Sequence, residues 1–132
     1  MRYLVDTHYL IWALIEPERI DERAREILLS PDHIKYVSAA TFWEISLKQS
    51  LGKLRLQGAT PEGMLHAATE AGFVLVPIEA RTAASLHRLP EVAGHRDPFD
   101  RLLIWQCITG DLTLLTSDGR LGEYVQHGLK LP

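Results

Sequence analysis

Four short runs of β-branched and aliphatic residues, RYLV (2–5), IKYVS (34–38), FVLVPI (73–78) and LTLLT (112–116), are separated by longer stretches with helical spacing. Strands that alternate with helices argue for an α/β sandwich with a mostly parallel central sheet. Between the strands the chain predicts helices over 7–15 (Thr7 as N-cap), 21–30, 39–52 (closed by Gly52), 60–71 (opened by Thr60 and Pro61, stopped by Gly72), 79–89 and 97–110 (stopped by Gly110). LKL near the end reads as a short last strand. No linker, repeat or low-complexity tract interrupts the 132 residues, so a single domain over 1–132 is expected.

Composition narrows the class only a little. A charged fraction of 23% and a hydrophobic fraction of 46% suit a soluble globular protein. No apolar run approaches the roughly 20 residues of a membrane span, and MRYLVDTH lacks the features of a secretory leader, so a cytoplasmic location is expected. The single cysteine, Cys107, lies inside LLIWQCI and is expected in the core. A net charge of −3 neither indicates nor excludes a nucleic-acid partner.

Ligands of parallel sheets bind beyond the carboxyl ends of the strands, which gives the acids their meaning. Asp6 directly follows the first strand and Asp118 follows the fourth within TSDGR. Either one alone reads equally as a turn residue. In HRDPFDRLLIWQC, Asp97 before Pro98 is an N-cap pattern. Asp100 is different: on a helix it stacks on the apolar face of Leu103, Ile104, Cys107 and Ile108, at the edge where the core opens. Glu44 lies one turn into the helix after the second strand, beside Ala40, Thr41, Leu47 and Lys48. Two carboxylates about 4 Å apart repel by about 4 kcal/mol at an effective dielectric near 20. A shared pocket therefore calls for protonation or a cation, and oxygen-only ligands suit Mg²⁺ or Mn²⁺ better than zinc. That chemistry points to phosphoryl transfer.

YLVDTHYLIWAL, SAATFWEISLKQSLGKL, HRDPFDRLLIWQC and LLTSDGRL together resemble the PIN-domain ribonucleases, specifically the VapC-type toxins of type II toxin–antitoxin pairs. The resemblance spans nearly the whole chain. It implies a PIN-like three-layer sandwich and an Mg²⁺ pocket of Asp6, Glu44, Asp100 and Asp118, with Mn²⁺ as a substitute. It further implies endonucleolytic RNA cleavage by a metal-activated water, a homodimer, and a cognate antitoxin that blocks the pocket. Thr7, Asp97, Thr116 and Ser117 are auxiliary candidates, while Lys48, Lys53, Arg55, Arg96 and Arg101 are candidate contacts to RNA phosphates. Arg101 is also placed to pair with a neighbouring acid. His95, nearest the site by sequence among six histidines with no paired metal-ligand spacing, is a candidate for steering its loop. Trp12, Trp43 and Trp105 are expected in the core or a dimer interface.

Other readings stay open at this stage. A receiver-like phosphotransfer module would need a lysine after a late strand, and LTLLTSD has none. A phosphatase with an aspartyl nucleophile would need an acid where His8 stands. A non-catalytic binding module on the same fold would be marked by loss of a pocket acid, and all four are present.

Overall fold

The computed structural model describes residues 1–132. Its centre is a four-stranded, all-parallel sheet: β1 (Arg2–Val5), β2 (Ile34–Ser38), β3 (Val74–Val76) and β4 (Thr113–Leu115), in the order β3-β2-β1-β4. The two interior strands are also the two that begin the chain. Six α-helices surround them: α1 (Thr7–Ile15), α2 (Glu22–Leu29), α3 (Ala39–Ser50), α4 (Pro61–Glu70), α5 (Ala80–Ser85) and α6 (Pro98–Gly110). A three-layer α/β sandwich results, as the alternation predicts.

The pleat explains the layers. Side chains alternate along a strand, so Tyr3 and Val5 point to one face and Leu4 to the other. On the first face Val5, Val37 and Leu115 meet Tyr9 and Leu10 of α1, Ile27 of α2, Ile45 of α3 and Met64 of α4. On the second, Leu4 and Leu114 meet Leu103, Ile104 and Cys107 of α6, together with Tyr124. Each such side chain taken from water contributes about 1.5–3 kcal/mol. Cys107 is a free, buried core thiol, as expected. No helix is long and apolar enough to cross a membrane.

Several local expectations are corrected. The N-cap of α1 is Asp6, not Thr7: the Asp6 carboxylate accepts from the Tyr9 N–H at 2.8 Å, leaving the Thr7 hydroxyl for another partner. Helix α6 runs through Gly110 and stops on Asp111, which takes the left-handed turn at φ 54°. Aspartate tolerates that conformation better than most residues. The expected helix 79–89 divides into α5 and a 3-10 turn at Leu86–Arg88. The third strand is only three residues long, and its exposed Val74 and Leu75 lie at the sheet edge. LKL contributes one parallel bridge, Lys130 to Thr113, rather than a strand. A 3-10 segment at Gly119–His127 was not foreseen. Of the tryptophans, Trp12 and Trp105 are half-buried, while Trp43 is 57% exposed.

Candidate carboxylate site

Four elements deliver acids to the carboxyl edge of the sheet. Asp6 follows β1, and its backbone N–H prolongs the β1–β4 pairing by donating to Leu115 O at 3.0 Å. One oxygen of its buried carboxylate caps α1. The other accepts from the Thr116 hydroxyl at 2.7 Å and the Ser117 N–H at 3.3 Å. Burial nonetheless holds the Asp6 carboxyl above the usual carboxylate range, against those hydrogen bonds.

Glu44 reaches the same edge from α3 and is 3% exposed. The Thr7 hydroxyl donates to its Oε1 at 2.7 Å, and Lys48, one turn later, pairs with Oε2. Burial pulls the Lys48 pKa down, but the Glu44 bond and the charges of Asp97 and Asp100 outweigh it, and the net direction is upward.

The opening of α6 answers how two aspartates three residues apart divide their work. Asp97 is the N-cap and accepts the Asp100 N–H at 2.9 Å. Asp100 carries the electrostatic load. Burial first, then the charges of Asp97, Glu44 and Asp6, push its carboxyl up to about 6, with His95 opposing them. Three other acids are therefore close enough to Asp100 to be felt. Trp43 and Phe99, the neighbours of Glu44 and Asp100 in sequence, pack edge to face at 4.8 Å and tie the two helices side by side.

Asp118 opens the 3-10 segment, and its carboxylate forms a two-pronged pair with Arg120 at 2.9 and 3.0 Å. That pair holds the Asp118 carboxyl below the usual range. Thr116 joins the two ends of the site, donating to Asp6 and accepting the Asp118 N–H at 3.1 Å. Thr116→Val therefore removes both bonds and leaves the Asp118 N–H without its acceptor: urea denaturation is expected to show a loss of about 1–3 kcal/mol. Thr116→Ser, which keeps the hydroxyl, stays near wild type.

The remaining candidates fall into two groups. Thr7, Asp97, Thr116 and Ser117 all contact site acids or their helix starts, as described. Lys48 is at the pocket. Lys53 and Arg55 lie beyond α3, exposed, and Arg96 is exposed beside a cleft of about 730 Å³ that it shares with His95 and Arg101. Arg101 spends its guanidinium on Leu89 O at 2.8 Å, Pro90 O at 3.2 Å and the Tyr124 hydroxyl at 3.1 Å, with no acid among its partners.

Arg120 escaped sequence reasoning as the partner of Asp118, although it stands only two positions away, and His95 reads from the sequence only as a candidate for steering its loop. His95 is 4% exposed, and its Nε2 lies 3.5 Å from Asp100 Oδ2. One donor atom each from His95, Asp100 and Asp118 fall within 4.8 Å of one another. Its position two residues before Asp97 was the only signal.

The residues fit a hard divalent cation. The donor set is almost wholly carboxylate oxygen, and burial together with the negative charge of Asp97, Glu44 and Asp6 pushes the Asp100 carboxyl up, a field that a bound cation would relieve.

The PIN domain family model matches residues 3–125. Solved structures with the same fold include VapBC2 from Rickettsia felis bound to a DNA fragment from their promoter (TM-score 0.70, 16% identity, covering 100% of this chain and 98% of that one). DNA-bound VapBC from Salmonella typhimurium matches at TM-score 0.66 and 14% identity, over 100% and 97% of the two chains. VapBC-1 from nontypeable Haemophilus influenzae matches at 0.65 and 16%, again over 100% and 97%. At such identities the likeness shows the fold. No curated protein sequence matches the chain.

Proposed function

Since the chain belongs to the PIN domain family, we propose that it is a Mg²⁺-dependent endoribonuclease, the toxin of a type II toxin–antitoxin pair. The observation that carries this reading is the field at Asp100: acids from three other elements converge on it, and its carboxyl is held up to about 6. Fold likeness to chains of three VapBC assemblies supports a cognate antitoxin as partner.

Asp6, Glu44, Asp100 and Asp118 would hold the cation, which supplies charge neutralisation at the phosphate and acidifies a bound water. The protein's own groups do the rest. Thr116 and Ser117 fix the Asp6 carboxylate by donating to one oxygen, so its remaining lone pairs have one orientation. Thr7 does the same for Glu44. Lys48 and Arg120 balance the outer oxygens of Glu44 and Asp118 and present positive charge where an incoming phosphate arrives. Lys53, Arg55 and Arg96, all exposed, are the residues assigned to position the RNA backbone without reading its sequence.

The test is incubation of purified protein with a total RNA pool in Mg²⁺ and in EDTA, followed by mapping of new ends. Discrete 5′-phosphate ends that vanish in EDTA are expected. Intact RNA in Mg²⁺, from protein shown by mass analysis to carry no co-purified partner, would favour a non-catalytic binding module instead.

A further inference from the structure

His95 is a buried imidazole whose Nε2 has no hydrogen-bond partner, the one such side-chain atom in the protein. It sits in a tight turn: Gly94 takes the left-handed φ of +79°, and the His95 N–H closes back onto Val92 O at 3.0 Å. A left-handed residue at 94 favours glycine, so the VAGH sequence fixes where the ring enters the core. The ring then packs edge-on against Tyr124, 5.3 Å between centroids, with Nδ1 at 2.8 Å from the Tyr124 hydroxyl.

The tautomer follows from counting hydrogens. Arg101 can only donate, and it donates to the Tyr124 oxygen at 3.1 Å. The Tyr124 side chain is fully buried, and its hydroxyl has two partners, Arg101 and His95 Nδ1. Its single hydrogen must therefore go to Nδ1, because a buried tyrosine hydroxyl needs an acceptor. In a neutral imidazole the other nitrogen then carries the proton. Nε2–H is left as a donor, 3.5 Å from Asp100 Oδ2, too far for a formed hydrogen bond. Arg101 itself is held by the Leu89 and Pro90 carbonyls, so the chain is anchored to backbone at its far end.

We propose that His95 is a positioning residue of the carboxylate site: the Arg101–Tyr124–His95 chain aims Nε2–H at one oxygen of Asp100, leaving the other for the cation. The inference rests on the cation site proposed above, and it makes His95 a donor to a ligand rather than a ligand. A metal on Nε2 would require that nitrogen to give up its proton. Nδ1 would then take one, and the Tyr124 hydrogen would lose its acceptor. Ligand carboxylates held by outer hydrogen bonds bind metal more tightly, and loss of such a partner typically costs about 10–100-fold in affinity.

The experiment is a long-range ¹H–¹⁵N correlation spectrum of the imidazoles, with and without Mg²⁺, beside calorimetric Mg²⁺ titrations of wild type, His95→Gln, His95→Leu and Tyr124→Phe. The His95 signals, assigned from the spectrum that His95→Gln lacks, are expected to show protonated Nε2 and acceptor Nδ1 in both states. His95→Leu is expected to bind Mg²⁺ about tenfold or more weaker, with His95→Gln, whose amide still donates, recovering most of it. Tyr124→Phe should fall between them, since it frees the tautomer. A proton lost from Nε2 on adding Mg²⁺, or a protonated Nδ1 before it, would overturn the proposal in favour of a nitrogen ligand or a reversed chain. Equal Mg²⁺ affinity in wild type and a folded His95→Leu would overturn it also. Wild type that binds no Mg²⁺ while Nε2 stays protonated would instead refute the cation site. If His95→Leu does not fold, the wild-type spectrum and the Gln variant still decide.

Discussion

Asp100→Asn is expected to cripple RNA cleavage while making the metal-free protein more stable. The two effects come from the same carboxylate. In the folded protein Asp100 titrates near 6, above its ordinary 3.8, because burial and the charges of Asp97, Glu44 and Asp6 disfavour the carboxylate. The unfolded chain releases that proton near 3.8 and the folded protein only near 6. The stability it contributes is thus full below the lower value, lost through the interval, and gone at pH 7.5. Asparagine has nothing to ionise and keeps the shape. With its side chain 33% exposed and partly screened, the gain at pH 7.5 is about 1–2 kcal/mol. Loss of one cation-holding oxygen should lower the cleavage rate by about 10²–10³-fold, equivalent to about 3–4 kcal/mol of barrier. Thermal unfolding without metal and end-mapping with Mg²⁺ check both halves. A variant that cleaves normally, or that is less stable than wild type at pH 7.5, would remove Asp100 from the centre of the site.

Divalent cation is expected to raise the melting temperature steeply at pH 7.5 and weakly at pH 5. A ligand at one hundred times its Kd stabilises by about 2.7 kcal/mol, or about 8–14 °C for a chain of this length. Binding requires Asp100 and Asp6 to be ionised, and both are held above the usual carboxylate range. Below about 6 the cation must displace a proton from Asp100, so its apparent affinity falls with pH. The shift should therefore shrink to a few degrees at pH 5 and disappear in Asp6→Asn combined with Asp100→Asn. Scanning calorimetry in Mg²⁺, Mn²⁺ and EDTA at the two pH values gives the answer. An equal shift at both pH values would mean that the cation binds elsewhere.

These expectations depend on features of different legibility. Asp97-Pro98 was readable as a cap because capping is local: the carboxylate reaches an N–H three residues on, and the structure has that bond at 2.9 Å. The same logic misplaced the α1 cap by one residue, since Asp6 and Thr7 both offer suitable oxygens. Only the contact of Thr7 with Glu44, 37 residues away, shows which one was free. Lys48 was readable as a neighbour of Glu44 at helical spacing, and the two are paired. Arg101 was not readable as the anchor of Tyr124, because nothing in the sequence connects residues 101 and 124.

What the sequence by itself determined is everything written in short-range periodicity: strand alternating with helix, hence a parallel sheet, hence acids such as Asp6 and Asp118 at its carboxyl edge. What only the tertiary structure decided is proximity. Thr116 meets Asp6 across 110 residues, and Trp43 against Phe99 brings the helix of Glu44 beside that of Asp100. Burial and mutual repulsion then set the Asp100 carboxyl near 6 and leave His95 Nε2 facing it. The physical reason is one of range. Backbone hydrogen bonds and side-chain periodicity act within a few residues, whereas desolvation and Coulomb interactions depend on distances that exist only once both faces of the sheet are packed.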